Sequence, residues 1–509
     1  MTRDAAAIGA GLDPVRAARP IRAGERIHVI GAAGAGASGA ALLARAAGAV
    51  VTACDAGGSS PYTVALENAG VALATTHDPS HITTVPSPDR LAVTKALTAI
   101  DPDHAELRAA RERGIPVEPW QQVIADAATG RTLVAVAGTH GKSTTAGWLV
   151  HVLVQAGLDP SGFVGALLPA TVTGGAPATA RIGRGAPFVV EADEYAGNFD
   201  AYRPQVAVLT SAEWDHPDVF ADADAVRDAF RRWLRGIPDG GTIVANVADP
   251  GVAAILDGLA DRPVSVVAVA LSDPDAPDIP AGHQPISLAG RILAEDPDGT
   301  TVELDGLGSR AAPITARLPT AGRHNAANAL GVAAAASRLG VPPEAIVRGL
   351  ETFAGVGRRL ERKGEAGGVV VYDDYGHHPT AIRATIAALR QREPTRRLWA
   401  VYEPLTYHRT AALASGFAEA LATADAVAIA DIWPGRDPDT TIASAADLAA
   451  AVTQLGRGIP VQAPGSVDAT AEWLAGEVRP GDAVLVMGGG HSYRIAAGLL
   501  RRLEETAGR

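Results

Sequence analysis

Cysteine is almost missing from this chain: Cys54 is the only one in 509 residues, so no internal disulfide can form and a reducing, cytoplasmic setting is expected. Embedded in Val-Val-Thr-Ala-Cys-Asp, that thiol reads as strand packing. Positive charge is also short. With 44 Lys and Arg against 56 Asp and Glu the net charge is −12, which excludes a general nucleic-acid binder, since such a protein displaces counterions with a basic face. No segment approaches the roughly 18 consecutive apolar residues that a membrane-spanning helix requires, so neither nucleic acid nor membrane is an expected partner. The start of the chain lacks the continuous apolar stretch of a secretory signal; rich in Ala, Gly, Arg and Pro, residues 1–25 are expected to form a flexible N-terminal arm.

What the chain does contain is alternation. Hydrophobic residues at 47% and charged residues at 20% describe an ordinary globular protein, and the length exceeds what one core supports, so roughly two to four domains are expected. Apolar β-rich runs alternate with alanine-rich helical stretches, the pattern of α/β layers with parallel strands. Strands are predicted at 26–30, 50–54, 188–190, 206–210, 369–372, 398–401, 426–429 and 483–486, and helices at 38–47, 64–69, 104–113, 322–339 and 380–389. Residues 79–88 read as loop, and 270–313 as hairpins or irregular sheet. Three domains follow: Rossmann-like over 26–128, P-loop ATPase-like with a central parallel sheet over 129–355, and Rossmann-like again over 356–509.

Residues 133–145 carry the strongest chemical signal. An apolar strand ends at Ala137, the turn Gly138-Thr139-His140-Gly141 lets backbone N–H groups converge on an anion, and a helix starting near Lys142 aims its N-terminal dipole at the same point. This is a phosphate cradle, in which Lys142 reaches the β- and γ-phosphates and Ser143, followed by Thr144, is placed to hold Mg²⁺. Val136 stands where the general P-loop has its first glycine, so the loop is a variant. Upstream, Gly34-x-Gly36-x-x-Gly39 follows the first strand and Asp55 ends the second about 20 residues on, a fingerprint that suits either NAD or the diphosphate of a UDP-sugar.

Polar clusters then recur at strand ends, where α/β proteins build their sites. Glu191-Ala-Asp-Glu194 and Glu213-Trp-Asp-His216-Pro-Asp218 can bring oxygen and imidazole ligands to Mg²⁺ around a triphosphate. Gly322-Arg-His-Asn325 opens a helix with Asn328 one turn on; Asn325 either caps that helix or joins Asn328 in gripping an adenine edge. Asp373-Asp374-Tyr-Gly-His-His378-Pro379 holds adjacent histidines that diverge with no third soft ligand nearby, which favours substrate contact over zinc. Arg409, at the end of the next strand, can clamp a carboxylate.

Taken together, these pieces resemble the Mur ligases over about residues 26 to 500. The likeness is carried by Gly31 to Gly39, Ala-Gly-Thr-His-Gly-Lys-Ser at 137–143, Glu-Ala-Asp-Glu at 191–194, Asp215-His216, Gly-Arg-His-Asn at 322–325, Gly357-Arg-Arg359, Asp-Asp-Tyr-Gly-His-His-Pro at 373–379 and Tyr-His-Arg-Thr at 407–410. It implies an ATP-dependent amide ligase acting on small molecules: UDP-N-acetylmuramate on the N-terminal domain (Gly34, Gly36, Gly39, Asp55), ATP on the central one, an amino acid on the C-terminal one. In that scheme the sugar's carboxylate takes the γ-phosphoryl group and the amine displaces phosphate. Lys142, Glu191 and His216 carry the chemistry; Ser143, Glu191 and His216 hold Mg²⁺; Asn328 contacts adenine; Asp374 lies near the ribose; His378 and Arg409 form the amino-acid pocket.

Within the family the chain is most like the branch that adds L-alanine first. Glu194-Tyr195 and Arg359-Leu-Glu361 are shared instead with a recycling branch that attaches a whole tripeptide, whereas His377-His378 and Gly488-Gly-Gly-His491 favour the alanine-adding one. Departures are Pro404-Leu-Thr-Tyr-His-Arg409, one arginine short in the amino-acid loop, Tyr195-Ala196 for Ser-Asp, and Thr94-Lys95-Ala96 for Ser-Ser-Ala. An NAD-dependent dehydrogenase leaves the P-loop unused, and a non-catalytic nucleotide-binding module leaves the carboxylates idle. Monomer and homodimer are equally compatible with the sequence.

Overall fold

A computed structural model describes residues 5–272, 285–308, 312–435, 437 and 439–507. Three sheets account for the strands described. The first is five-stranded and parallel, with Arg26–Ile30 at its centre between Val50–Cys54 and Arg90–Val93, and Ala72–Ala74 and Val117–Pro119 at the edges. Its central strand, Arg-Ile-His-Val-Ile, is buried on both faces from Ile27 onward, His28 included. The helix after it spans Ala35–Ala46, beginning at the glycine turn and three residues before the predicted start. Residues 79–88 include one helical turn, Ser80–Thr83.

The middle sheet has ten strands. Thr132–Ala137 lies between Val206–Leu209 and Pro187–Ala192, parallel to both, so three strand ends open side by side. The core is parallel as expected, but both margins are antiparallel: Ser161–Leu168 pairs with Ala178–Arg181, and the hairpin Ile286–Asp296 with Gly299–Asp305 runs on to Ile314–Leu318. Within the predicted hairpin region, residues 273–284 and 309–311 lie outside the described residues. The third sheet has six strands, five of them parallel with Asp482–Gly488 and Arg397–Glu403 among them, and Glu361–Ala366 antiparallel at one edge. No helix among the described residues is long and apolar enough to cross a membrane.

The expected flexible arm is instead docked. Asp13 donates its backbone N–H to the Val117 carbonyl (2.7 Å) and its side-chain Oδ2 accepts from the Val117 N–H (2.9 Å), fastening the arm to a sheet edge. Ile8 is buried against Tyr195 and Ala196 of the central domain. The physical reason is charge: Arg16 pairs with Glu118 and Asp126 at 2.7 Å each, and Arg19 with Glu25 at 2.6 Å, around the buried Arg90, which itself meets Glu25, Glu118 and Asp126. Arginines that read as loose surface charge are the partners three buried carboxylates need.

This cluster sets an acid response. Burial pushes the Glu25 carboxyl up, but hydrogen bonds from Arg19 and from the Arg22 backbone, together with the nearby Arg90 charge, outweigh it and hold the group at about 2 against an ordinary 4.5. A depressed folded-state value means the stabilisation is present above about pH 4.5 and is lost as pH falls toward about 2. Thermal melts of wild type and Glu25→Gln are expected to differ most at neutral pH and to converge toward pH 2. A gap independent of pH would show that the carboxylate charge is not what docks the arm.

Candidate active site

Where the apolar strand Thr132–Ala137 ends, the chain must turn sharply into the helix Lys142–Gln155, and glycine makes this possible. Gly141 caps the helix at φ 79°, and a Cβ there would stand 2.5 Å from Asn328 Oδ1, so the left-handed conformation and the close approach both require glycine. The first turn of this helix, Lys142, Ser143 and Thr144, then faces a cleft of about 910 Å³ lined by all three domains. Thr139, His140 and Gly141 line it as well; Gly138 lies just behind, its carbonyl accepting a 2.6 Å bond from Lys142 Nζ.

Lys142 also donates to Glu194 Oε2 at 2.9 Å and lies 3.7 Å from Asp193 Oδ1. Burial works against its ammonium, yet Glu194 and Asp193 outweigh it and raise the pKa, so the lysine stays charged. One strand over, Glu191 accepts from Ser143 Oγ (2.9 Å) and from the Gly165 N–H (2.6 Å), and Arg359 Nη2 donates to the same Ser143 oxygen at 2.8 Å. Ser143 and Glu191 are thus brought together. Asp193, Glu194 and His216 form a second group whose ligand atoms lie within 4.8 Å of one another.

His216 is committed elsewhere in this arrangement. Arg409 Nη2 donates to His216 Nδ1 at 3.0 Å while Arg409 Nε donates to Asp215 Oδ1 at 2.8 Å. Guanidinium has no acceptor, so Nδ1 carries the lone pair, and in the neutral ring Nε2 carries the proton. Burial drives the imidazole down to about 4 despite the neighbouring Asp215, so the ring is neutral at pH 7. A metal on Nε2 would leave the proton on Nδ1, which the guanidinium cannot accept, so the expected role of His216 as a ligand would require Arg409 to let go; Arg409, expected to clamp an amino acid, here holds an internal carboxylate.

Asn325, Asn328 and Asp374, the residues expected at the nucleotide, all lie on the cleft wall. Asn325 Nδ2 donates to the Ala321 carbonyl (2.8 Å) and its Oδ1 accepts from Asn328 at 3.4 Å, so the two amides form one short chain. Asp374 is held by the N–H groups of Leu360 (2.7 Å) and Gly376 (2.6 Å). Across the cleft, Gly34 and Gly36 line the wall, but Gly39 and Asp55 do not. A Cβ at Gly39 would meet Phe163 and Thr179, so this glycine serves domain packing, and Asp55 braces the turn from behind by accepting from the Ala33 N–H at 2.9 Å.

His378 also departs from expectation. Its Nδ1 accepts from the Thr380 N–H (3.3 Å), capping the helix Pro379–Arg392, while Nε2 donates to the Trp214 carbonyl (3.2 Å). With Thr380 donating to Glu213 at 2.8 Å it pins the C-terminal domain to the central one. The residue that lines the cleft is His377. Sequence reasoning gave no individual role to His377, Asp193, Glu194, Asp215 or Arg359; each sat inside a quoted motif, which was the available signal, and the partners of Asp215 and Arg359 lie in other domains.

A phosphate loop facing carboxylates, amides and arginines from two further domains across one cleft is the architecture of an ATP-dependent ligase joining an acid to an amine. Family models agree along the chain: Mur ligase family, catalytic domain over 26–132, Mur ligase middle domain over 136–336, and Mur ligase, glutamate ligase domain over 358–490. The UDP-N-acetylmuramate–L-alanine ligase of Kineococcus radiotolerans is 39% identical over 486 residues, covering 94% of this chain and 96% of the relative, and that of Acidothermus cellulolyticus is 38% identical over 466 residues, covering 91% and 92%. Among solved structures, UDP-N-acetylmuramate-alanine ligase from Thermotoga maritima superposes with a TM-score of 0.76 at 22% identity, and a murein peptide ligase from Psychrobacter arcticus with 0.70 at 27%; each match covers 94% of this chain and 99% of the other. The protein belongs to the Mur ligase family.

Proposed function

We propose that the protein joins L-alanine to UDP-N-acetylmuramate at the expense of ATP, through an acyl phosphate, in the assembly of peptidoglycan precursors. The observation that carries this is the full-length similarity to alanine-adding relatives, set beside a cleft in which one lysine faces the carboxylates that follow the strand Pro187–Ala192. A carboxylate is a poor acylating agent, so the sugar's lactyl carboxylate attacks the γ-phosphate first, and the neutral amine then displaces phosphate through a tetrahedral intermediate. Two anions must meet, and Lys142 and Arg359 supply fixed positive charge at that point.

Mg²⁺ belongs to the same proposal. The chain places Glu191, Asp193 and Glu194 beside the phosphate loop, an excess of negative charge that suits a triphosphate only with cations between. Hard oxygen donors, Ser143 Oγ and the Glu191 carboxylate, match that ion's preference. When bound, Mg²⁺ would neutralise charge developing on the transferred phosphoryl group.

Asn325 and Asn328 would read the adenine and Asp374 the ribose; Gly34 and Gly36 would face the UDP-sugar; Arg409 would take the amino acid's carboxylate, with His377 beside it. Phosphate release with ATP, Mg²⁺ and UDP-N-acetylmuramate tests the acceptor. L-Alanine is expected to support turnover at least 10²-fold above a stem tripeptide; the reverse order would assign the chain to the recycling branch.

A further inference from the structure

On the outer face of the N-terminal sheet, beneath the helices Ser80–Thr83 and Ala105–Glu112 and apart from the cleft, the only cysteine meets four histidines around one carboxylate. Glu106 has no solvent exposure, and among the described residues no lysine or arginine pairs with it. Its neighbours are His81 Nδ1 at 2.6 Å, His77 Nδ1 at 3.2 Å, Cys54 Sγ at 3.5 Å, and His28 Nε2 and His104 Nδ1 at 3.8 Å. The ligand atoms of His28, Cys54, His81 and Glu106 lie within 4.8 Å of one another.

We propose that these four residues form a site for one borderline-soft divalent ion, Zn²⁺ being the ion whose ligand set and spacing they match. With bonds of about 2.0 to 2.3 Å, neighbouring ligand atoms of a tetrahedral zinc centre stand about 3.3 to 3.8 Å apart. Three edges already have that length: His28 Nε2 to Cys54 Sγ is 3.3 Å, Cys54 Sγ to Glu106 Oε1 is 3.5 Å, and His28 Nε2 to Glu106 Oε1 is 3.8 Å. The fourth corner, His81, needs its 2.6 Å contact to Glu106 to open by about 1 Å.

Supporting groups are in place behind the ligands. Thr52 Oγ1 lies 2.8 Å from His28 Nδ1, which fixes the ring so that Nε2 points inward. His77 and His104 flank the other carboxylate oxygen, and His104 Nδ1 is buried with no hydrogen-bond partner. A carboxylate buried among imidazoles and a thiol, with no fixed cation, gains from a metal what a salt bridge supplies elsewhere. Ligation would convert the thiol to thiolate and release its proton to solvent. The ion would tie two strands and two helices into one unit.

Co²⁺ reports such a site, and a single cysteine makes the report specific. Tag-free full-length protein, stripped with a chelator and titrated anaerobically with Co²⁺, is expected to show a thiolate-to-cobalt charge-transfer band saturating at one equivalent. Zn²⁺ should displace it and excess Mg²⁺ should not. Cys54→Ser should abolish the band and Glu106→Gln should weaken binding about 10- to 100-fold. Should either variant fold poorly, wild type alone decides: Zn²⁺ is expected to raise its melting temperature and to protect Cys54 from alkylation. A wild-type protein with no charge-transfer band, or with Cys54 alkylated equally fast with and without Zn²⁺, would overturn the site and show a proton-bridged network instead.

Discussion

Replacing Lys142 with alanine is expected to lower the rate of phosphate release by about 10³-fold or more while leaving UDP-N-acetylmuramate affinity nearly unchanged. The ammonium stands at the phosphate loop, and on the proposed assignment the sugar's contacts lie on a different domain. Its removal leaves Glu194 buried without its partner, so that carboxyl takes up a proton and the variant still folds. Steady-state phosphate release and equilibrium binding of the sugar nucleotide, measured on the same preparation, separate the two effects. Full turnover would remove Lys142 from the chemistry; lost sugar binding with a native circular dichroism spectrum would place its role in substrate assembly.

Arg409→Ala should produce two separable losses. If Arg409 receives the amino acid's carboxylate, the Michaelis constant for L-alanine rises by about 10- to 100-fold, the worth of a charge-assisted bidentate contact. Independently, Asp215 is left as a buried charge with no counterion, which costs about 3 to 5 kcal/mol of folding stability. Adding Asp215→Asn to Arg409→Ala removes that charge and should recover much of the stability without recovering the Michaelis constant. If both recover together, the arginine acts only through Asp215 and does not touch the substrate.

Much of the framework was legible because parallel strands buried on both faces leave unmistakable apolar runs, and because glycine at Gly138 and Gly141 marks a turn no other residue makes easily. What stayed hidden was pairing at a distance. Arg16 meets Asp126 from 110 residues away, and Arg409 meets Asp215 from 194, so the docked arm and the occupied guanidinium have no local signature. His378 was misread for a different reason. A residue preceding proline at a helix start is a capping position, and the local hydrogen bond to Thr380 claims a ring that chemistry alone would send to a ligand. Gly39 shows the same lesson for glycine, since the last residue of the fingerprint answers to Phe163 and not to phosphate. The four histidines around Glu106 come from three separate stretches of chain, at 28, 77–81 and 104, and only the spacing of His77 and His81 would have hinted at them.

Asp215 acts, on this assignment, as a built-in understudy for the acceptor. Its carboxylate occupies the guanidinium that the amino acid must claim, so every productive encounter is an exchange of one acid for another and part of the intrinsic affinity is spent on eviction. The same exchange unhooks the His216 ring, linking arrival of the second substrate to completion of the cation-binding shell. On that assignment little ATP hydrolysis is expected while the protein is idle, because the shell that would promote it stays unfinished until something is present to receive the acyl group.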